Sequence, residues 1–567
     1  MTGTRTPRLI FAASTLLYLA VGTFIAAGRA NLMGDALSRV SATQSALFSR
    51  DPHLSAIGFV FTPLTSLAQL PFVALAPVLP AITRWGLSGV LMTALFMAGA
   101  VTAVWGIGTD RGAPRWLCVA VTVLFAINPM VVFYGGNGMS EALFLFCLCW
   151  AVRRLMRWVR TDGVHDLVAA GIAFGLGYLT RYDALAPAAT AAVLVFVLSY
   201  HRRDGHRFAG AAMDLVLVTA PVALAFVVWA ATSWLITGQA FQQFTSQYGN
   251  SAILAQSGAA PGNPLAALQY SIGATLILAP TLPLLLPMVG ALAIRRRDAQ
   301  VLVPILLCGS VLGFQALSFA SGSTFAFLRF YVAAIPLVLI LALQIPAARR
   351  FPPSRRPGRY ADLPADRNEL AASAPPPESS VPRRATGRGL LLASAAAATV
   401  VLLIASLPAT AIGMNSQLMA VQEYPLRAAL FPDPTNITAK YRDQRRIALT
   451  FSTERRLADY LDALDLPPGS VVMDTVYGFA VLVATHRPDR FVIPSDQDFV
   501  RILNRPTERG VKYILAVPNS GRGTSDAVNR RYPTMYENGA QIATLELEIP
   551  NDGAGQPDWR LYRVIGS

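Results

Sequence analysis

Eleven apolar runs interrupt this 567-residue chain, and they constrain it more than any other feature. A helix crossing a bilayer needs about 20 predominantly apolar residues, because its backbone polar groups must be satisfied inside the segment. Runs of suitable length lie at 9–28, 85–108, 116–134, 140–158, 166–179, 184–200, 208–234, 265–294, 301–319, 330–346 and 389–411, the fifth and sixth being short. With 54% hydrophobic and 14% charged residues, the chain lacks the polar skin of a soluble globule. The expectation is an all-α polytopic membrane domain of about eleven transmembrane helices.

The formal charge of +15 would suit a nucleic-acid binder, but its placement argues otherwise. From Asn415 onward 18 basic and 18 acidic residues cancel, so the excess sits in short loops between apolar runs. Every second loop is basic: Arg5/Arg8, Arg111/Arg115, Arg153/Arg154/Arg157/Arg160, Arg202/Arg203/Arg207, Arg295/Arg296/Arg297, and nine arginines between Arg349 and Arg388. The alternate loops hold only Arg29, Arg39, Arg50, Arg84, Arg181 and Arg329. Cytoplasmic loops collect positive charge, which predicts an inner (plasma) membrane protein with its N-terminus in the cytoplasm and its C-terminal region outside. No nucleic-acid partner is expected. The four cysteines lie in apolar runs without metal-ligand spacing, and the two lysines beside many arginines suit a GC-rich, for instance actinobacterial, genome.

A twelfth apolar stretch, 54–80, carries Pro63, Pro71, Pro77 and Pro80 and would reverse the charge bias if it crossed. It reads as interfacial or re-entrant helices on the outer surface. The first run is too long for a signal-peptide core and no A-x-A site follows it. The predicted organisation is a membrane region over 1–346, a disordered Pro/Ala/Ser/Arg-rich cytoplasmic loop over 347–388, a last transmembrane helix at 389–411, and an extracytoplasmic soluble domain over 412–567. In that domain a helix is expected at 455–464 and buried strands at 470–473, 491–493 and 513–517, an α/β alternation.

Ionisable side chains near membrane depth are costly, which makes the outward-facing ones functional candidates. Asp35 lies seven residues beyond the first run, in Asn31-Leu32-Met33-Gly34-Asp35-Ala36-Leu37-Ser38-Arg39, and Asp51-Pro52-His53 follows. Tyr134-Gly135-Gly136-Asn137-Gly138-Met139-Ser140-Glu141 puts Glu141 on the first turn of the fourth helix. Leu179-Thr180-Arg181-Tyr182-Asp183 forms the turn between the fifth and sixth, and Phe327-Leu328-Arg329-Phe330-Tyr331 opens the tenth. Five separated segments thus bring Asp, Glu and Arg to one face. Plainer roles stay open: snorkelling for Arg39, Arg181 and Arg329, a helix-terminus charge for Glu141, pairing with Arg181 for Asp183, loop surface for Asp51 and His53.

At these residues the chain resembles the GT-C superfamily of integral-membrane glycosyltransferases, which includes protein O-mannosyltransferases, aminoarabinose transferases and mycobacterial arabinofuranosyl- and mannosyltransferases. The resemblance rests on Gly34-Asp35 in a long first outer loop, Phe61-Thr62-Pro63-Leu64, Met139-Ser140-Glu141, Leu179-Thr180-Arg181-Tyr182 and Arg329-Phe330-Tyr331, and it covers most of 1–346. It implies transfer of a sugar, arabinofuranose or mannose, from a polyprenyl-phosphate donor to a glycan, lipid or protein acceptor of the cell envelope. It implies Asp35 as catalytic base, with Arg181 and Arg329 on the donor phosphate. The other substrate-binding candidates are Glu141, Asn137, Tyr182, Asp183, Arg39, His53 and Tyr331. Asp35 is flanked by Gly34 and Ala36 rather than by a second acid, so no cofactor is expected, although a divalent metal stays open. The rival classes are a lipid or anion transporter, against which no internal repeat is visible, and a non-catalytic envelope-assembly protein.

Overall fold

The computed structural model describes residues 5–203, 205–246, 249, 253–254, 263–346 and 387–566. The loop expected to be disordered, 347–388, lies almost wholly outside them. Helices Arg5–Gly28, Leu87–Asp110, Tyr182–Arg202, Arg207–Thr237, Ala299–Ala320 and Leu391–Met414 are each long and apolar enough to cross a membrane. Pro264–Leu278 and Leu282–Arg296 together make a seventh, bent by 79° at the break.

Length and apolarity therefore give six or seven spans among the described residues, where the sequence count was about eleven, and the reasons are local. The run at 116–134 breaks where the Asn128 side chain accepts from the Met130 N–H and Pro129 starts a second helix, Pro129–Tyr134. The run at 140–158 becomes Glu141–Thr161, which takes in four arginines. The run at 166–179 is the 15-residue helix Val164–Tyr178, and 330–346 opens as a 3-10 turn, Leu328–Tyr331, before Ala334–Ala342. The stretch 54–80 forms only short helices, Leu54–Ile57, Leu64–Leu67 and Leu70–Val73, none of spanning length. Its Leu64 N–H donates to the Leu179 carbonyl at 2.8 Å, tying it to the Arg181 turn.

Without a hydrophobic drive between helices in lipid, close approach depends on small residues. A side chain on Gly22 would strike the backbone of Gly136, and Gly138, at φ +79°, lies against Gly89. Only glycines fit that turn, and the turn delivers Glu141 to the start of its helix.

The C-terminal region carries a five-stranded sheet in the order β2-β1-β3-β5-β4, formed by β1 (Val471–Val472), β2 (Phe491–Val492), β3 (Tyr513–Ala516), β4 (Ala543–Ile549) and β5 (Trp559–Val564). The three strands expected from sequence pair in parallel around β1, and β5 and β4 extend the sheet antiparallel. Alternate residues feed two cores: Val471, Phe491, Tyr513 and Leu515 face one way, Val472, Val492, Ile514 and Ala516 the other. Helix Ser452–Ala463 falls where a helix was expected.

This domain is docked on helix Gly34–Phe48. Leu37 and Val40 pack against Phe451, Phe479, Ala480 and Val483 in a buried cluster, where each Leu, Val or Phe side chain is worth roughly 1.5–3 kcal/mol. Around it, Arg84 grips the Asp459 carboxylate with two nitrogens at 2.7 and 2.8 Å. Arg50 pairs with Asp496 at 3.2 Å and also with Asp498, and the guanidinium of Arg455 lies over Trp85 at 4.8 Å.

Candidate active site

Asp35 stands in the first turn of helix Gly34–Phe48, where the helix dipole favours a carboxylate. Its side chain keeps 41% exposure, whereas that of Arg329, its ion-pair partner at 3.0 Å, keeps 6%. The second terminal nitrogen of Arg329 lies 3.4 Å from Oε1 of Glu141, and Arg181 donates to the same oxygen at 2.8 Å. Arg181 also holds Asp183 at 3.0 Å, and Asp183 accepts from the Gln315 amide at 2.7 Å. Buried Glu141 is thus the anchor that sets two guanidiniums side by side, and Asp35 is the carboxylate at their open edge.

Aromatic rings and sulfur fill the space between these charges. The Arg181 guanidinium lies 5.3 Å from the Phe330 ring and 5.7 Å from Phe144, and that of Arg329 lies 5.2 Å from both Phe327 and Phe330. Arg39 packs over Phe61 at 4.4 Å and donates to the Asp35 carbonyl at 2.9 Å. Arg39 and Arg329 both approach the Met139 sulfur, at 3.9 and 3.8 Å. Desolvation would raise the Asp35 carboxyl, but Arg329, Arg39 and Arg522 outweigh it and hold the group below the usual carboxylate range.

Of the residues singled out from sequence, Asp35, Arg39, Glu141, Arg181, Asp183 and Arg329 form this one network. Asn137 sits beside it, its Oδ1 accepting from the Met139 N–H while its Nδ2 is buried without a partner. Tyr331 bonds the Ser271 hydroxyl at 2.6 Å, and Tyr182 is half-exposed, edge-on to Phe244. His53 lies in the joint with the C-terminal domain: its Nδ1 meets the Asp51 carbonyl at 2.6 Å, and the Asp51 carboxylate accepts from the Gln497 N–H at 2.9 Å. Among the described residues no group of three or more His, Cys, Asp and Glu could hold a metal ion.

Three neighbours escaped sequence reasoning. Gln315 offers one signal, an amide inside an apolar run. Glu423 is buried, accepts from the Tyr134 hydroxyl and has its carboxyl raised by burial, yet it follows the last apolar run in an unremarkable polar stretch. Arg522 belongs to the C-terminal domain, 5.2 Å over the Tyr477 ring, and is near enough for its charge to act on Asp35.

No protein-family description matches the chain, and no curated protein sequence does. The architecture is that of the GT-C fold of polytopic membrane proteins. Over 99% of this chain and 98% of the other it is similar to ArnT from Cupriavidus metallidurans, solved bound to undecaprenyl phosphate, with a TM-score of 0.53 at 14% identity. Weaker similarities, on which nothing rests, are to the Archaeoglobus fulgidus oligosaccharyltransferase AglB in complex with an inhibitory peptide and a dolichol-phosphate (TM-score 0.41, 11% identity, 90% of this chain and 69% of that one) and to the mycobacterial arabinofuranosyltransferase AftD (0.43, 15%, 100% and 42%).

Proposed function

We propose that the chain is a membrane glycosyltransferase that moves a sugar from a polyprenyl-phosphate donor to a hydroxyl acceptor of the cell envelope, on the extracytoplasmic side. The observation that carries this reading is the junction of an accessible carboxylate, Asp35, with two nearly buried guanidiniums fixed by Glu141. Sugar transfer from a phosphate carrier needs those two things, a base for the acceptor proton and positive charge set in place for the departing phosphate.

In this mechanism Asp35 takes the proton of the acceptor hydroxyl as its oxygen bonds to the anomeric carbon. The bond from that carbon to the phosphate oxygen breaks, its electron pair stays on the phosphate, and the configuration inverts. Arg329 and Arg181 receive the added charge through charge-assisted hydrogen bonds. Because Arg329 is shared between Asp35 and Glu141, an arriving phosphate draws it away from Asp35, and the carboxylate gains basicity as the donor binds. The donor sugar is proposed as arabinofuranose or mannose, on the family resemblance in the sequence. Asn137, Tyr182, Asp183, Arg39, His53 and Tyr331 are assigned to the substrates, with His53 on the side of the soluble domain.

The test is Asp35→Asn in vesicles supplied with a radiolabelled polyprenyl-phosphate sugar. Transfer should fall by about 10³-fold while protein level and donor binding hold. Unchanged transfer removes the base assignment.

A further inference from the structure

Three guanidiniums act on Asp35, and they come from different parts of the chain. Arg329 reaches it from the helix bundle, Arg39 from its own helix, and Arg522 from the C-terminal domain. Packing explains the third. Helix Thr475–Ala484 lies on helix Gly34–Phe48, with Phe479, Ala480 and Val483 against Leu37 and Val40. Just past the end of the first, the Asp489 carbonyl accepts from the Gly469 N–H at 3.0 Å, and Gly469 lies against Arg50, just past the end of the second. The two helices therefore run parallel, and Val476 and Tyr477 at the start of one stand beside Asp35 at the start of the other.

Arg522 is held at that corner. Its guanidinium lies 5.2 Å over the Tyr477 ring, with one terminal nitrogen 3.4 Å from the Val476 carbonyl. The loop that carries it is pinned from behind. Asp474 accepts from the N–H groups of Val476 at 2.7 Å and Ala527 at 2.9 Å, Asp526 accepts from those of Val528 and Asn529, and the Asn529 amide donates to the carbonyls of Val517 and Gly523 at 3.0 Å each. A side chain on Gly523 would strike the Pro518 carbonyl.

This half-buried cation has no carboxylate within ion-pair distance among the described residues. Other arginines of the joint do: Arg84 pairs with Asp459, and Arg50 with Asp496. A fixed guanidinium without a counter-ion, beside a reactive carboxylate, is suited to an anionic group that a substrate brings. The direction of displacement says which substrate. In an inverting step the incoming oxygen attacks the face of the anomeric carbon opposite the departing group. With the phosphate on Arg181 and Arg329 in the bundle, the acceptor lies towards Asp35 and the C-terminal domain.

We propose, on the transferase reading above, that Arg522 binds an anionic group of the acceptor, a phosphate or a carboxylate near the hydroxyl that Asp35 deprotonates. The acceptor is then an acidic envelope component and not a neutral glycan.

The full chain in detergent is given the radiolabelled polyprenyl-phosphate sugar and increasing amounts of a detergent extract of envelope from cells that lack the chain. The labelled product, freed of donor, is applied to an anion exchanger. It is expected to be retained, and mass spectrometry of the retained product tells phosphate from carboxylate. Arg522→Gln should raise the KM for the extract about tenfold with kcat and donor binding held, and Arg522→Lys should recover most of the loss. A neutral product overturns the proposal, and because it is read on the wild type it does so even if a variant misfolds. An unchanged KM in Arg522→Gln also overturns it, as does a fall in kcat alone, which would mean that Arg522 acts only through Asp35. A wild-type chain that yields no labelled product fails the transferase reading itself, and is told apart from the other outcomes by that.

Discussion

Arg329 lies 3.0 Å from Asp35, although 294 positions separate them in the chain, and its other terminal nitrogen reaches Glu141 at 3.4 Å. One guanidinium therefore links an exposed acid to a buried one, and that sharing depends on its fork. An ammonium presents one nitrogen where the guanidinium presents two in a fixed fork, so a lysine would have to serve both carboxylates from a single point. Arg329→Lys is expected to lower transfer by about 10²-fold, mainly in kcat, in the vesicle assay. Near wild-type turnover would mean that the fork is not used.

Glu141 is the only carboxylate contacting both Arg181 and Arg329 among the described residues. Glu141→Gln keeps an acceptor for Arg181 but leaves two nearly buried cations with one fewer negative charge. The variant should be destabilised by about 3 kcal/mol, visible as an earlier thermal transition of the detergent-solubilised protein. Transfer should drop too, as Arg329 loses its inner hold. A midpoint equal to wild type would show that the anchor is dispensable.

The clasp between the C-terminal domain and the Asp35 helix separates apolar from ionic contributions. Phe479→Ala removes a ring from the cluster around Leu37 and Val40 and should cost about 3 kcal/mol. Arg84→Gln breaks the pair with Asp459, half of which is exposed, and should cost under about 1 kcal/mol. Limited proteolysis between the membrane region and the domain provides the comparison, with Phe479→Ala cleaved faster. The reverse order would place the docking energy in the charges.

Asp496 gives the joint a pH dependence. Burial pushes its carboxyl up to about 6, against the opposing pull of the Ile493 N–H and Arg50. In the unfolded chain an Asp titrates near 3.9, so the folded state binds the extra proton between the two values. Stability from this group is present below pH 4 and is lost as pH rises through 6, by roughly 1–3 kcal/mol. Asp496→Asn should flatten that fall, and chemical denaturation at pH 4, 5, 6 and 7 would reveal it. A slope unaltered by the substitution assigns the pH dependence elsewhere.

What could be read from the chain divides by how far apart the interacting residues lie. Asp35, Glu141, Arg181 and Arg329 were visible because a charge at the end of an apolar run is costly unless it has work, and the structure brings all four into contact. Glu423 was not, since its burial under Tyr134 is created by chain packing some 289 positions away. The strands β1 to β3 are continuous apolar runs buried on both faces, whereas β4 is buried only at Ala543, exposes Thr544, Leu545 and Glu548, and resembles a polar stretch. Length and apolarity alone qualify six or seven spans among the described residues and do not confirm the count of about eleven, since periodicity does not reveal where Asn128-Pro129 breaks a helix or where the chain turns by 79°.

The seat of the C-terminal domain is also the mount of the carboxylate. Phe451 abuts Gly34, the neighbour of Asp35, and Phe479 presses on the next turns of the same helix. Whatever grips or tilts the C-terminal domain is thereby transmitted to Asp35 through packing, so the position of this carboxylate is set by residues more than 400 positions further along the chain as much as by its own helix.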